Sequence, residues 1–334
     1  AEIGPRGPTT EAEARGAAYA ASQLHAIGAR EVSVEPFRSV PSLWWALEIA
    51  TTLALSATGI FLLTGGRWWL LPTIFCLTAL SLILAEFSFW KYSLSNFLPK
   101  KISQNVHGKI PPRLEARKTI VFIGHLDTNR TPKLFHPRII RHLPAILLGS
   151  FVCVLVKAAV FAVAGVSASF AAGLATAFLL DLPLVALLGL MIHGDLFSPF
   201  TEGANDNATG AAVALSLADL FSRDPLRHTE VWALLTGCEE ATLTGIQKFL
   251  DINGDRLEDA YFVDLECLGI GRLRYITHEG MLKKYHSNTG LLRAAALAAE
   301  KVPDAGIAPS ILKRGYTETA IVIGRGFRGI TIIA

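Results

Sequence analysis

Four short stretches of this sequence gather side chains that could hold a metal ion and move a proton. "FIGHLDT" carries His125 and Asp127, "GANDN" carries Asp206, "LLTGCEE" carries Glu239 and Glu240, and "FVDLECLG" carries Asp264 and Glu266. Taken singly, each has an ordinary reading. A histidine at a strand end is usually a hydrogen-bonded structural residue. A glutamate pair after a strand opens a solvated helix, where the helix dipole favours acids. Asp206 could cap the helix that follows it, and Asp264 and Glu266 could be strand-end acids facing water. Taken together, one imidazole and several carboxylates suit a hard-to-borderline divalent cation. Asp127, two residues from His125, could hold the imidazole from behind, the usual partner of a metal-bound histidine.

The elements around these stretches would bring them to one place. "TTEAEARGAAYAASQLHAIGAR" reads as a helix, with Thr9 or Thr10 as its cap, acids in its first turn and Gly28 after its end. "EVSVEPF", "SQNVHGKI", "KTIVFIGHLD", "HTEVWALLTG", "DAYFVDLECLG", "GRLRYITH" and "RGITIIA" read as strands. "ATGAAVALSLADLFSR", "ATLTGIQKFLD" and "NTGLLRAAALAAEKV" read as helices. Strands alternating with helices predict an α/β fold, a mostly parallel central sheet with helices on both faces. Such sheets place ligands at the carboxyl ends of their strands, which is where the four stretches fall.

The rest of the chain is of another kind. Among 334 residues, 51% are apolar and 18% charged, and the mean hydropathy is +0.41. Soluble domains usually carry about 25% charged residues. A membrane helix needs about 20 mostly apolar residues. Four windows meet that need, at roughly 43–63, 68–90, 143–165 and 168–192, each with one charge: Glu48, Glu86, Lys157 and Asp181. Short linkers join them into two hairpins, and Trp44, Trp45, Trp68, Trp69 and Trp90 sit at their ends, where interfacial aromatics belong. The expected organisation is one α/β domain at 1–41, 92–141 and 194–334, interrupted by hairpins at 42–91 and 142–193. Arg38, Lys91, Lys100, Lys101, Arg138 and Arg141 flank one side of the spans, against Arg67 on the other, so the positive-inside rule puts the polar segments in the cytoplasm. Counted from their shared loop, Lys157 and Asp181 differ in depth by roughly 8 Å at about 1.5 Å per residue, an offset that a long Lys arm could nearly span to form a pair; otherwise Lys157 would snorkel and Asp181 would be protonated or face another helix.

Composition excludes other classes. A net charge of +3, with no basic run interleaved with aromatics, gives no case for nucleic acid. The four cysteines form no CxxC pair and no disulfide framework. A small transporter would need Gly/Pro-broken paired spans, and the carboxylate clusters lie outside the apolar windows. The chain starts at Ala1 and stops on the strand-like "GITIIA", as though both ends were cut.

The order GHxDT, GAxDN(A)xG, GxEE after an apolar strand, then a strand-end carboxylate followed by x-x-G resembles metallopeptidase family twenty-eight. Its members are co-catalytic zinc aminopeptidases related to bacterial leucyl aminopeptidase. The opening helix, "EVSVEPF" and "SQNV" also resemble that family, so the likeness covers the polar chain, with the two hairpins as insertions. The resemblance implies two zinc ions, peptide substrates and an aminopeptidase that works through a water held between the metals. It implies His125 on one zinc, Asp206 bridging both, Glu240 on the other, Glu239 as general base and Asp127 orienting the site. The family's NLDMxG pattern aligns Glu266, rather than Asp264, with a metal position. "GYTETA" resembles a later segment with a Ser-Asp-like pair. The family's last ligand is a histidine after the final strand; it would lie beyond Ala334, and His278 and His286 come too early to replace it. Thr242 and Ile246 also depart from the Gly and Ser common after the glutamate pair. The same fold would serve a carboxypeptidase-like or glutaminyl-cyclase-like enzyme, or a catalytically silent membrane protein.

Overall fold

The computed structural model describes residues 3–281 and 283–334. Along the chain run α1 (Glu11–Ala26), β1 (Arg30–Ser39), α2 (Trp44–Leu63), α3 (Leu70–Phe87), β2 (Lys101–Ile110), β3 (Lys118–His125), α4 (Pro137–Ile140), α5 (Leu143–Val166) and α6 (Phe170–Phe197). Then follow α7 (Thr209–Arg223), β4 (Thr229–Thr236), α8 (Glu239–Thr242), α9 (Thr244–Asn253), β5 (Tyr261–Glu266), β6 (Arg274–Glu279), β7 (Tyr285–His286), α10 (Thr289–Lys301), β8 (Ala308–Leu312), α11 (Glu318–Gly324) and β9 (Arg328–Ile333). These elements fall into two compact units, Ala1–Pro41 with Pro99–Asn129 and Phe200–Ala334, and Ser42–Leu98 with Arg130–Pro199.

The first unit is built on one sheet in the order β1-β2-β4-β3-β5-β9-β6-β7, with β8 beside β6. Its centre, β4-β3-β5-β9, is parallel, as the alternation of strands and helices predicts. Its flanks differ: β1 with β2, β2 with β4, and β6 with β9 run antiparallel. The short strands β7 and β8 and the helix α11 carry no strong periodic signal and stand outside the sequence expectation. Both faces of the centre are covered. Val231, Ala233 and Leu235 of β4 point to one face and pack with Ala17, Ala20 and Leu24 of α1 and Ala211, Ala214 and Ala218 of α7. Trp232, between them in sequence, turns to the other face and meets Phe249 of α9 edge-on, with ring centroids 6.0 Å apart. Gly124 near the end of β3 allows α7 to come close; a Cβ there would stand 2.7 Å from the Ala211 nitrogen.

The second unit is four helices, each long and apolar enough to cross a membrane. They pack in a ring in which α2 touches α3 and α6, and α5 touches α3 and α6. Ala54, Ala57, Ala79, Ala158, Ala164 and Ala177 line the inside with Phe61 and Phe161, small residues that let apolar helices approach. Leu63, Leu70, Ile74, Val152, Leu155, Leu179 and Leu182 face outward and exposed. The last helix runs to Phe197, five residues past the apolar window, because His193 and Asp195 lower hydropathy without breaking a helix. Lys157 is fully buried in the ring, donates to the Asp181 carboxylate and gives a second bond of 2.6 Å to the Ala54 carbonyl.

Candidate metal centre

His125 is the last residue of β3, and its ring is buried. Its Nε2 lies 3.2 Å from Asp206 Oδ1, 3.3 Å from Glu266 Oε1 and 3.9 Å from Glu239 Oε2. Two groups of donor atoms, each within 4.8 Å of one another, therefore share this imidazole: His125 with Asp206 and Glu266, and His125 with Glu239 and Glu240. Among the described residues, no second histidine joins them. His278 and His286 face each other across β6 and β7, with ring centroids 5.2 Å apart.

Each donor is placed by its strand end. Asp206 sits in the irregular turn 204–208 that precedes α7. Asn207 beside it locks that turn to β5. Its Nδ2 donates to the Leu265 carbonyl at 2.8 Å and to Glu266 Oε2 at 3.2 Å. Its Oδ1 accepts from the Gly210 and Cys267 amides. Gly210 has no room for a side chain, since a Cβ would stand 2.0 Å from the Leu265 oxygen. Glu266 ends β5 and points at His125; Asp264, two residues earlier on the same face, is as buried but accepts instead from the Thr319 amide at 3.3 Å. Asn129 Nδ2 donates to Glu240 Oε2 at 2.5 Å.

Asp127 is buried between His125 and the glutamate pair. The closest acceptor to His125 Nδ1 is the Asp127 backbone carbonyl at 3.0 Å; its carboxylate is 3.5 Å away. That carboxylate is engaged elsewhere. Oδ1 accepts from the Glu239 amide and Oδ2 from the Glu240 amide, both at 3.0 Å. Asp127 thus fixes the backbone of the glutamate pair and, through its carbonyl, the histidine.

Three residues of the first unit were not singled out as part of the site by sequence. Arg6 donates to the Leu126 carbonyl at 2.7 Å and the Gly203 carbonyl at 3.2 Å, tying the loop after β3 to the turn that carries Asp206. Glu318 opens α11 inside "GYTETA" and is fully buried, with Thr236 donating to its carboxylate. Asp264, Glu266 and Glu318 form a third group of donors. Glu13 of α1 is the third, and it reaches the Cys238 amide. The available signal for Glu318 was its place as the sole acid in a motif already flagged; Arg6 and Glu13 had none.

The electrostatics are lopsided. Asp127, Asp206, Glu239, Glu240, Asp264, Glu266 and Glu318 surround His125, and burial raises the pKa of five of them. Glu239 and Glu240 are pushed well up by burial and by neighbouring carboxylates, Glu266 to about 7, and Asp264 and Glu318 upward also. Burial opposes protonation of His125, but Glu266, Glu239 and the other acids outweigh it and hold its pKa well above the usual value. Asp206 goes the other way: burial opposes its ionisation, and the bond to His125 overcomes it. Three carboxylate oxygens, Glu240 Oε1, Asp264 Oδ1 and Glu318 Oε2, are buried without a hydrogen-bond partner. Buried acids crowded on one imidazole, with orphaned oxygens among them, fit a divalent cation.

A doubly covered α/β sheet whose strand ends converge on a histidine and carboxylates defines the class: an α/β fold with a candidate metal centre at its strand ends. Residues 186–332 match the model of peptidase family M28. No curated protein matches the chain by sequence. Among solved structures, the chain is similar to a zinc aminopeptidase from Bacillus subtilis, at TM-score 0.55 and 14% identity over 99% of this chain and 81% of that one. It is similar to the glutaminyl cyclase of Porphyromonas gingivalis, at TM-score 0.55 and 12% identity over 99% and 79%. A glutaminyl cyclase from an Acidobacteriales bacterium gives TM-score 0.53 and 11% identity over 99% and 74%. These likenesses define the fold.

Proposed function

We propose that this chain is a membrane-embedded, zinc-dependent exopeptidase, an aminopeptidase in the leading reading. The convergence of Asp206, Glu239, Glu240 and Glu266 on one buried imidazole supports it most. His125, Asp206 and Glu266 would hold one zinc ion and Glu240 a second, with Asp206 shared between them as the family resemblance implies. When bound, zinc supplies Lewis acidity, lowering the pKa of water and polarising a carbonyl. Glu239 is left as the base. It takes a proton from the water that attacks the peptide carbonyl and returns it to the departing amine. Asp127 holds the backbone of both glutamates, so base and ligand move as one piece.

The four apolar helices would anchor the enzyme in a lipid bilayer, with the basic flanks Arg38, Lys91, Lys100, Lys101, Arg138 and Arg141 on the cytoplasmic side. Peptides are the substrates this reading implies. The second reading is a glutaminyl-cyclase-like activity, which the glutaminyl cyclases among the similar structures favour.

The test is made on the full chain in detergent, loaded with zinc. Free amino acid released from an unblocked peptide, and none from its N-acetylated form, supports the aminopeptidase. Ammonia released from a peptide with N-terminal glutamine, without hydrolysis, supports the cyclase. Neither product from zinc-loaded protein contradicts both and leaves a catalytically silent member of the fold.

A further inference from the structure

We infer that Glu13, far from the four motifs in sequence, is a positioning residue for Glu239 and Glu240; the inference rests on the reading of those two residues given above. Glu13 stands in the first turn of α1, three residues after the cap Thr10. At this place a glutamate ordinarily turns back to the cap's own amide. Thr10 does keep its half of that exchange, accepting from the Glu13 amide at 3.3 Å. The Glu13 carboxylate does something else. Oε2 accepts from the Thr9 amide at 2.7 Å, and Oε1 crosses 225 residues of sequence to accept from the Cys238 amide at 2.9 Å. The residue is 0% exposed, a costly setting for a carboxyl group unless it holds something.

What it holds is the corner between β4 and α8. Cys238 lies in the left-handed region, at φ 53°, where a side chain with a Cβ is unfavourable. Four successive amides at this corner are taken by side chains. Gly237 donates to Asn105 Oδ1 at 3.2 Å, Cys238 to Glu13, and Glu239 and Glu240 to Asp127. The cradle is tight: a Cβ on Gly237 would stand 2.5 Å from Ser103 Oγ and 2.8 Å from Glu13 Oε1. Asp127 and Glu13 are therefore equivalent parts of one clamp, gripping the corner from the loop after β3 and from α1. Without Glu13 the Cys238 amide loses its acceptor while buried, and the strained corner is free to relax. Glu239 and Glu240, the next two residues, would shift together against His125 and Asp206. Glu13 touches neither and acts through Cys238.

The test compares Glu13→Ala and Glu13→Gln with the unaltered chain in detergent. Zinc affinity is read by competition with a chelator, kcat and KM per bound zinc, and folding by circular dichroism. Glu13→Ala is expected to weaken zinc by about 10- to 100-fold, the usual loss when a partner that orients a metal ligand is removed, and to lower kcat more than it raises KM. Glu13→Gln keeps one oxygen for the Cys238 amide and is expected to recover part of both losses. If Glu13→Ala folds poorly, the glutamine variant carries the same comparison. Zinc affinity and kcat per bound zinc equal to the unaltered chain in a folded variant would overturn the inference, as would failure of both variants to fold, which makes Glu13 a structural residue of α1. Zinc binding and turnover by the unaltered chain show whether the functional reading stands; if that chain binds no zinc, both fall together.

Discussion

The two units bury charge in opposite ways. In the helical unit, Lys157 and Asp181 lie inside an apolar ring and satisfy each other, with the Ala54 carbonyl taking a further donor. Positive and negative charge are matched, and nothing more is needed. In the sheet unit, Asp206, Glu239, Glu240 and Glu266 crowd on His125, with Asp264 and Glu318 behind them, and three of their oxygens lack partners. Matched burial marks a structural pair in a low-dielectric interior. Unmatched burial marks a place that expects cations from outside. The same chain thus contains a closed solution and an open one, and chemistry belongs to the open one.

The comparison is broken most forcefully at the base. Glu239→Gln is expected to lower kcat by about 10²- to 10⁴-fold, the range for loss of a general base, while zinc content stays as it was. Asp206→Ala, in contrast, is expected to lose zinc. Metal analysis beside the kinetics checks both, and equal zinc loss in the two variants would contradict the separation of base from ligand.

Next comes the closed pair. Asp181→Asn leaves Lys157 buried and alone, and is expected to destabilise the helical unit by about 3–5 kcal/mol. Neutralising both, with Lys157→Met and Asp181→Leu, is expected to cost less. Thermal unfolding in detergent measures the difference. A double variant as damaging as the single one would show that the pair is not closed.

The open site makes a prediction about pH. Glu279 accepts from the Thr317 amide and from Thr331, and burial pushes its pKa to about 8. Burial, then Asp127, raise Glu13 to about 8 as well. Carboxyls whose folded pKa lies above the unfolded value favour folding when protonated. Their contribution is complete below the ordinary carboxylate range, near pH 4, and fades as pH rises toward 8. The metal-free protein is therefore expected to melt at lower temperature as pH rises from about 5 to about 8. In Glu279→Gln the fall is expected to be shallower. A melting temperature that climbs over this window would contradict the assignment.

The smallest effect is expected at Arg6, which ties Leu126 to Gly203 across the site. Arg6→Lys keeps the charge but not the fork, and is expected to cost about 1–2 kcal/mol, in line with lost hydrogen bonds to a charged group. Urea unfolding of the variant measures it, and no change would show the tie to be dispensable.

Legibility in the sequence followed the range of each interaction. The strand ends with His125, Asp206, Glu239, Glu240 and Glu266 were legible because each motif is a contiguous run in which a strand delivers its acids to the same edge. Lys157 and Asp181 were legible because a charge in an apolar helix is conspicuous and a long Lys arm nearly covers the offset in their depths. Glu13 was not, because its partner Cys238 lies at the far side of the chain and a first-turn glutamate has a local explanation. Asp127 was legible only as a neighbour of His125; the bonds of its carboxylate to the Glu239 and Glu240 amides were not, because they cross 112 and 113 residues of sequence. The antiparallel flanks of the sheet were not legible either, since the side-chain pattern of a strand does not carry the direction of its neighbour.

The central claim is that the crowded acids around His125 are a zinc site. Its most direct test is zinc binding by the metal-free full chain in detergent, followed by titration calorimetry in buffers of different ionisation enthalpy. The account expects tight zinc binding with release of protons, because Glu239, Glu240 and Glu266 carry raised pKa values before metal arrives. Asp206→Ala should abolish it. No binding, or binding unchanged in Asp206→Ala, would contradict the account.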